Sequence, residues 1–138
     1  MGRIIAIDYG RKRTGLAVSD RMRLIAGALA TLPGDKVIEF LRDYISKEPV
    51  ELFVLGEPKQ MNNQPSENMQ WVTIFKTQLQ KAFPEIEIEM VDERFTSVLA
   101  HRAMLDGGLK KKDRRNKELV DRLSATIILQ TYLETNRI

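Results

Sequence analysis

Hydrophobic positions along the chain fall into short blocks whose period changes from one block to the next. Residues 3–9 alternate little and are rich in β-branched side chains, which predicts a buried strand. Gly10-Arg11-Lys12-Arg13-Thr14-Gly15 reads as a turn, and Leu16-Ala17-Val18-Ser19 as a second strand that pairs with the first. The chain turns again around Asp20-Arg21-Met22-Arg23, and residues 24–32 form a third extended segment. The N-terminal third is therefore expected to be a three-stranded antiparallel meander. Pro33-Gly34-Asp35 punctuates it. Asp35 is placed to cap a helix with Val37, Ile38, Phe40, Leu41 and Ile45 at helical spacing, and Glu48-Pro49 ends that helix.

Val50-Glu51-Leu52-Phe53-Val54-Leu55-Gly56 is nearly continuous in apolar residues, as expected of a parallel strand covered on both faces. A polar loop through Asn62-Asn63-Gln64 leads to a helix starting near Pro65-Ser66-Glu67, with Met69, Val72, Ile74, Phe75 and Leu79 before Pro84. Ile86 to Val91 is a fifth strand, alternating at its start and ending at Asp92-Glu93-Arg94. Thr96-Ser97 would cap a further helix that finishes at Gly107-Gly108, and a last helix runs from about Lys117 to Glu134. The order βββαβαβαα predicts an α/β fold: one mixed five-stranded sheet, three antiparallel N-terminal strands plus two parallel ones, with helices on both faces. No repeat, low-complexity tract or linker divides the chain, so residues 1–138 are expected to form a single domain.

Composition narrows the chemistry. A chain of 138 residues can bury roughly two-thirds of its unfolded surface, enough for a core without staples. The absence of cysteine excludes disulfides, zinc–thiolate sites and thiol nucleophiles. Asp8 interrupts the first apolar run too early for a signal peptide, and no apolar stretch approaches the ~20 residues that cross a bilayer. The expectation is a soluble cytoplasmic protein without a membrane partner.

The net charge of +3 is modest, but it is unevenly spread. Lys110-Lys111-Lys112-Asp113-Arg114-Arg115-Asn116-Lys117 holds six of the 22 basic residues and one of the 19 acidic ones, leaving 16 and 18 elsewhere. Arg11, Lys12, Arg13, Arg21 and Arg23 form a second basic group. Positive charge concentrated on a near-neutral body suits a polyanion, although a solvated charged loop would look the same.

Asp8 lies where an otherwise apolar strand stops, and Asp92-Glu93 ends another strand in the same way. Ligands gather at the carboxyl ends of strands in open α/β sheets, and adjacent strand ends would bring these side chains within a few ångströms. Asp121 interrupts the apolar surface of the last helix between Leu119-Val120 and Leu123-Ser124-Ala125. A carboxylate there is costly unless it is paired or binds a metal. Each residue also has a plainer reading: Asp8 as a turn aspartate, Asp92 or Glu93 as a salt-bridge or cap residue, Asp121 as a surface helix residue. Together, beside basic loops and without a competing histidine set, the carboxylates suit magnesium, which prefers oxygen ligands and substrate phosphates. Two such ions ~4 Å apart can activate water and stabilise the leaving oxygen in phosphodiester hydrolysis.

Ile7-Asp8-Tyr9-Gly10 through Thr14-Gly15-Leu16-Ala17-Val18-Ser19, with Asp92-Glu93-Arg94-Phe95-Thr96-Ser97 and Val120-Asp121-Arg122-Leu123-Ser124-Ala125, resembles the YqgF (RuvX) family. The resemblance spans nearly the whole chain. It implies an RNase H-like fold similar to the Holliday junction resolvase RuvC, and a nuclease that trims the 5′ end of pre-16S ribosomal RNA. Resolution of four-way DNA junctions is the alternative activity for the same family. Asp8, Glu93 and Asp121 match its acidic positions and would ligate one or two Mg²⁺ or Mn²⁺ ions. Asp92 would help orient a ligand or water, and Arg94 would neutralise the cluster or touch a phosphate. Arg11, Lys12, Arg13, Lys110, Lys111, Lys112, Arg114 and Arg115 are the expected contacts to nucleic acid, either structured RNA or branched DNA. A processing nuclease could work as a monomer, a junction resolvase as a symmetric, weakly held homodimer.

One departure stands out. The family usually reads Gly-Leu-Pro after the fourth strand, whereas this chain has Gly56-Glu57-Pro58; Glu57 either faces solvent or adds a carboxylate at the rim. His101, alone, reads as a surface or packing residue, and Trp71 and Phe75 as core. Tyr9 could pack or meet a nucleotide. Two other classes compete: a sugar-kinase or actin-like ATPase module, and a nucleic-acid-binding protein without catalysis. The first needs a second domain to enclose ATP. The second is opposed by the carboxylates, which repel phosphates unless metals intervene.

Overall fold

A computed structural model describes residues 2–57, 69–92 and 117–135, with the backbone alone at residues 92, 117–123 and 135. β1 (Arg3–Asp8) forms from the first apolar block and pairs antiparallel with β2 (Thr14–Ser19), which pairs antiparallel with β3 (Ala26–Leu32). A single 3₁₀ turn (Gly34–Lys36) leads into α1 (Val37–Lys47), and the chain returns as β4 (Val50–Glu57), parallel to β1. α2 (Met69–Ala82) precedes β5 (Glu87–Asp92), parallel to β4, and α3 (Lys117–Thr135) closes the described order. The sheet runs β3-β2-β1-β4-β5, mixed as expected.

Alternation along the strands builds two cores. Ile5 and Ile7 of β1, Leu16 of β2, and Phe53 and Leu55 of β4 pack with Val37 and Leu41 of α1 and Val72, Phe75 and Leu79 of α2. The intervening residues, Ile4, Ala6, Ala17, Leu52 and Val54, meet Ala125, Ile128, Leu129 and Leu133 of α3 on the other face. β1 and β4 are thus covered on both sides, which is why their sequences lack polar alternation. Ala6, Ala17 and Ala125 set small side chains among the Ile, Leu and Val of the α3 face.

Several boundaries shift by one or two residues, β2 beginning at Thr14 instead of Leu16 and β5 at Glu87 instead of Ile86, and two of the differences have a visible cause. Asp35 is not the cap of α1: it lies exposed inside the 3₁₀ turn, and Lys36 precedes α1 without a side-chain cap. The Gly34 N–H donates to the Arg11 carbonyl at 3.0 Å, which draws the chain into a tight turn before the helix can start. β3 begins at Ala26, not at residue 24, because the Asp20 carboxylate accepts hydrogen bonds from the N–H groups of Leu24 (2.7 Å) and Ile25 (2.9 Å). Those residues stay in the turn, and Arg23 takes a left-handed backbone (φ 58°) to close it. The helix expected at 96–107 and the start expected for α2 near 65–67 lie outside the described residues.

Candidate functional site

Asp8 is half-buried at the carboxyl end of β1, opposite Gly15 in the β1–β2 register. It follows Ile4 and Ala6 in the alternation, so it belongs to the face that α3 covers. The direction of α3 follows from two contacts. The Gln130 Oε1 accepts from the Ala26 N–H at 3.2 Å, and Ala26 pairs with Ser19, whose hydroxyl accepts from the Ile4 N–H at 2.9 Å. Residue 130 therefore sits beside edge strand β3, level with the start of β1, and Ala125 is fully buried in the core on this face. Position 121 lies one turn before the buried Ala125 on α3.

Asp92 ends β5 and pairs in register with Glu57, the last residue of β4. All three parallel strands end on the same side of the sheet. The ends of β1 and β5 are not adjacent, however: β4 separates them, which sets their backbones about 10 Å apart. β4, nearly continuous in apolar residues from Leu52 to Leu55, takes the place beside the central β1, where both faces need cover. Glu57 follows Phe53 and Leu55 in alternation onto the α1–α2 face, opposite to Asp8, and is half-buried. Glu93, Arg94, Lys110, Lys111, Lys112, Arg114, Arg115 and His101 lie outside the described residues. Among the described residues no three acidic, histidine or cysteine side chains gather to hold an ion.

The loop from β1 to β2 is closely held. The Thr14 hydroxyl, fully buried, donates to the Gly10 carbonyl at 2.8 Å and accepts from the Gly10 N–H at 3.2 Å. A Cβ on Gly34 would lie 2.7 Å from the Gly10 carbonyl oxygen and 3.1 Å from that of Arg11, so only glycine lets the two segments approach. Tyr9 packs: its ring stacks on Phe75 with centroids 4.4 Å apart. Burial pushes the Tyr9 phenol above its ordinary value, with Arg11 opposing and Asp35 adding to the rise. The Arg11 guanidinium carbon sits 4.1 Å over the centroid of the Trp71 ring. Phe75 is core as expected, but Trp71 is half-buried beneath Arg11. Lys12 is exposed and Arg13 half-buried. The sequence signal for this pairing is the match of Tyr9 and Arg11, two apart on a loop, with Trp71 and Phe75, one turn apart on a helix.

A mixed sheet ordered 3-2-1-4-5, with helices on both faces and an aspartate closing its central strand, defines an RNase H-like protein. Solved structures share this fold: RuvC of T. thermophilus in complex with a Holliday junction substrate (TM-score 0.59, 14% identity, 99% and 97% of the two chains), and the Fowlpox virus resolvase with Holliday junction DNA (TM-score 0.57, 12% identity, 96% and 97%). The chain belongs to the RuvX family, described as Holliday junction resolvase, whose profile matches residues 2–135. Relatives bearing the name of a candidate pre-16S rRNA nuclease include those of Bacteroides thetaiotaomicron (63% identical) and Flavobacterium johnsoniae (53%), each over 137 residues and 99% of both chains.

Proposed function

We propose that this protein is a divalent-metal-dependent nuclease that hydrolyses phosphodiester bonds in the 5′ leader of pre-16S ribosomal RNA, in the bacterial cytoplasm. The observation that carries the reading is Asp8: a carboxylate closing a doubly covered strand, on the face that α3 covers. Val91 also packs on that face, and Glu93 is two residues further along the chain. Asp8, Glu93 and Asp121 would hold Mg²⁺ or Mn²⁺, since an all-oxygen, all-anionic donor set fits a hard cation. When bound, the cation supplies Lewis acidity at the scissile phosphate and lowers the pKa of the attacking water.

The chain's own residues do the rest. Lys12 and Arg13, at the Asp8 end of the sheet, would neutralise flanking phosphates, and Lys110, Lys111, Lys112, Arg114 and Arg115 would add further phosphate contacts. Arg94 would offset the charge of the carboxylates, whereas Asp92, in register with Glu57, belongs to the opposite face of the sheet and would act only through the backbone it shares with Glu93. The relatives at 53–63% identity favour the RNA substrate over a DNA junction.

The test is a matched panel of pre-16S rRNA fragment, unstructured single-stranded RNA and four-way DNA junction, each with magnesium, manganese or EDTA. Cleavage confined to the rRNA fragment and abolished by EDTA is expected. Resolution of the junction with the RNA left intact would move the activity to DNA.

A further inference from the structure

We propose that α2 is the positioning element for Asp8: Arg11 on Trp71 and Tyr9 on Phe75 clamp the β1–β2 loop, and the carboxylate that opens that loop takes its place from the clamp. The inference rests on the reading of Asp8 as a metal ligand. Three consecutive cations, Arg11, Lys12 and Arg13, repel one another and would ordinarily splay into solvent. Arg11 instead folds back over the indole, and Tyr9, the residue next to Asp8, stacks one helical turn further on. On its other side the loop is tied to the chain after β3 by the Gly34–Arg11 hydrogen bond. The backbone that follows Asp8 is thus held from two directions, and neither hold uses the acidic side chains.

The clamp also divides the basic residues by task. Arg11 and Lys12 are both exposed, but the Arg11 guanidinium lies over Trp71; the clamp assigns Arg11 to positioning and the phosphate contacts of this loop chiefly to Lys12. A misplacement of about 1 Å at reacting groups costs up to roughly a hundredfold in rate, so a modest contact can have a large effect on turnover.

Trp71 is the only tryptophan in the chain, so its emission reports the contact directly. Arg11→Gln, Trp71→Leu, the conservative Trp71→Phe, Lys12→Gln and Asp8→Asn would be compared, with thermal melting to confirm folding. Arg11→Gln should shift Trp71 emission to the red. Arg11→Gln and Trp71→Leu should each lower kcat by roughly tenfold or more, and Trp71→Phe should recover most of it. Binding to a single-stranded RNA oligonucleotide in EDTA should keep its salt slope in Arg11→Gln but lose about 0.7 in Lys12→Gln. An Arg11→Gln protein with unmoved emission, unmoved kcat and the slope change of Lys12→Gln would make Arg11 a phosphate contact and overturn the clamp. Full activity in Trp71→Leu with none in Asp8→Asn removes the clamp alone. Full activity in Asp8→Asn removes the reading of Asp8, and the clamp with it.

Discussion

Thr14 shows how much of the site's support is carried by single side chains. Its hydroxyl satisfies both backbone groups of Gly10 in a fully buried place, so Thr14→Val keeps the shape and strips a donor and an acceptor of their partner. We predict a loss of about 1–3 kcal/mol, read by urea unfolding, with the slope of the transition unchanged. Asp8 was legible in the sequence because a charge closing an apolar strand breaks the pattern at a defined place. Trp71 was legible only in part. Helical spacing one turn from Phe75 suggested a core ring, whereas Trp71 is half-buried under a cation from a loop far away in sequence, and no local period encodes that contact. Glu57 is the converse case, since strand alternation once the register is known assigns it to the face opposite Asp8.

Among elements, α3 links packing to function most directly. Ala125 is fully buried in the core that also holds Ala6 and Ala17, one turn from position 121. Ala125→Leu should cost about 1–3 kcal/mol by overpacking and push the helix off the sheet. Cleavage is expected to fall by more than the reduced stability explains, because the displaced turn carries position 121; activity of the still-folded fraction decides this. The β2–β3 turn gives a second, pH-dependent case. The N–H of Ile25, and then that of Leu24, hold the Asp20 carboxyl below its ordinary value of 3.8. A depressed folded pKa means the contribution is complete above 3.8 and is lost as pH falls through the lower folded value. Protection of the Leu24 and Ile25 amides from hydrogen exchange should therefore collapse in that acid range. Asp20→Asn should lose this acid transition. The sequence marked a turn here, but it could not say that the aspartate would reach forward and delay β3.

At the scale of the whole molecule, the order of elements was readable because each has its own period, and the described residues follow it. The pairing of β1 with β2 was legible as well, but its neighbour on the other side, β4, was not. Sheet order joins segments distant in sequence, and the ends of β1 and β5 are separated by β4. The alkaline limit of the fold is a property of this scale. Burial, and then the hydrogen bond to the Glu89 carboxylate, push the Tyr132 phenol up to about 12 from 10.0. A raised folded pKa leaves stability complete below pH 10 and drains it as pH rises toward 12. Tyr132→Phe should flatten that decline in denaturation curves taken across the range. Salt dependence belongs here too. Neutralising Lys110, Lys111, Lys112, Arg114 and Arg115 should weaken RNA binding and reduce the salt slope by about 0.7 for each phosphate that is no longer neutralised.

The reading of Asp8 and Asp121 as metal-binding carboxylates is tested most directly by their isosteric amides. Asp8→Asn and Asp121→Asn, each shown by circular dichroism and thermal melting to be folded, would be assayed for cleavage of a pre-16S rRNA fragment in magnesium. Calorimetric titration with manganese would run alongside. We predict that both variants lose cleavage and bind manganese weakly, while the unsubstituted protein does both. Undiminished cleavage or unchanged manganese binding in the two folded variants would contradict the assignment.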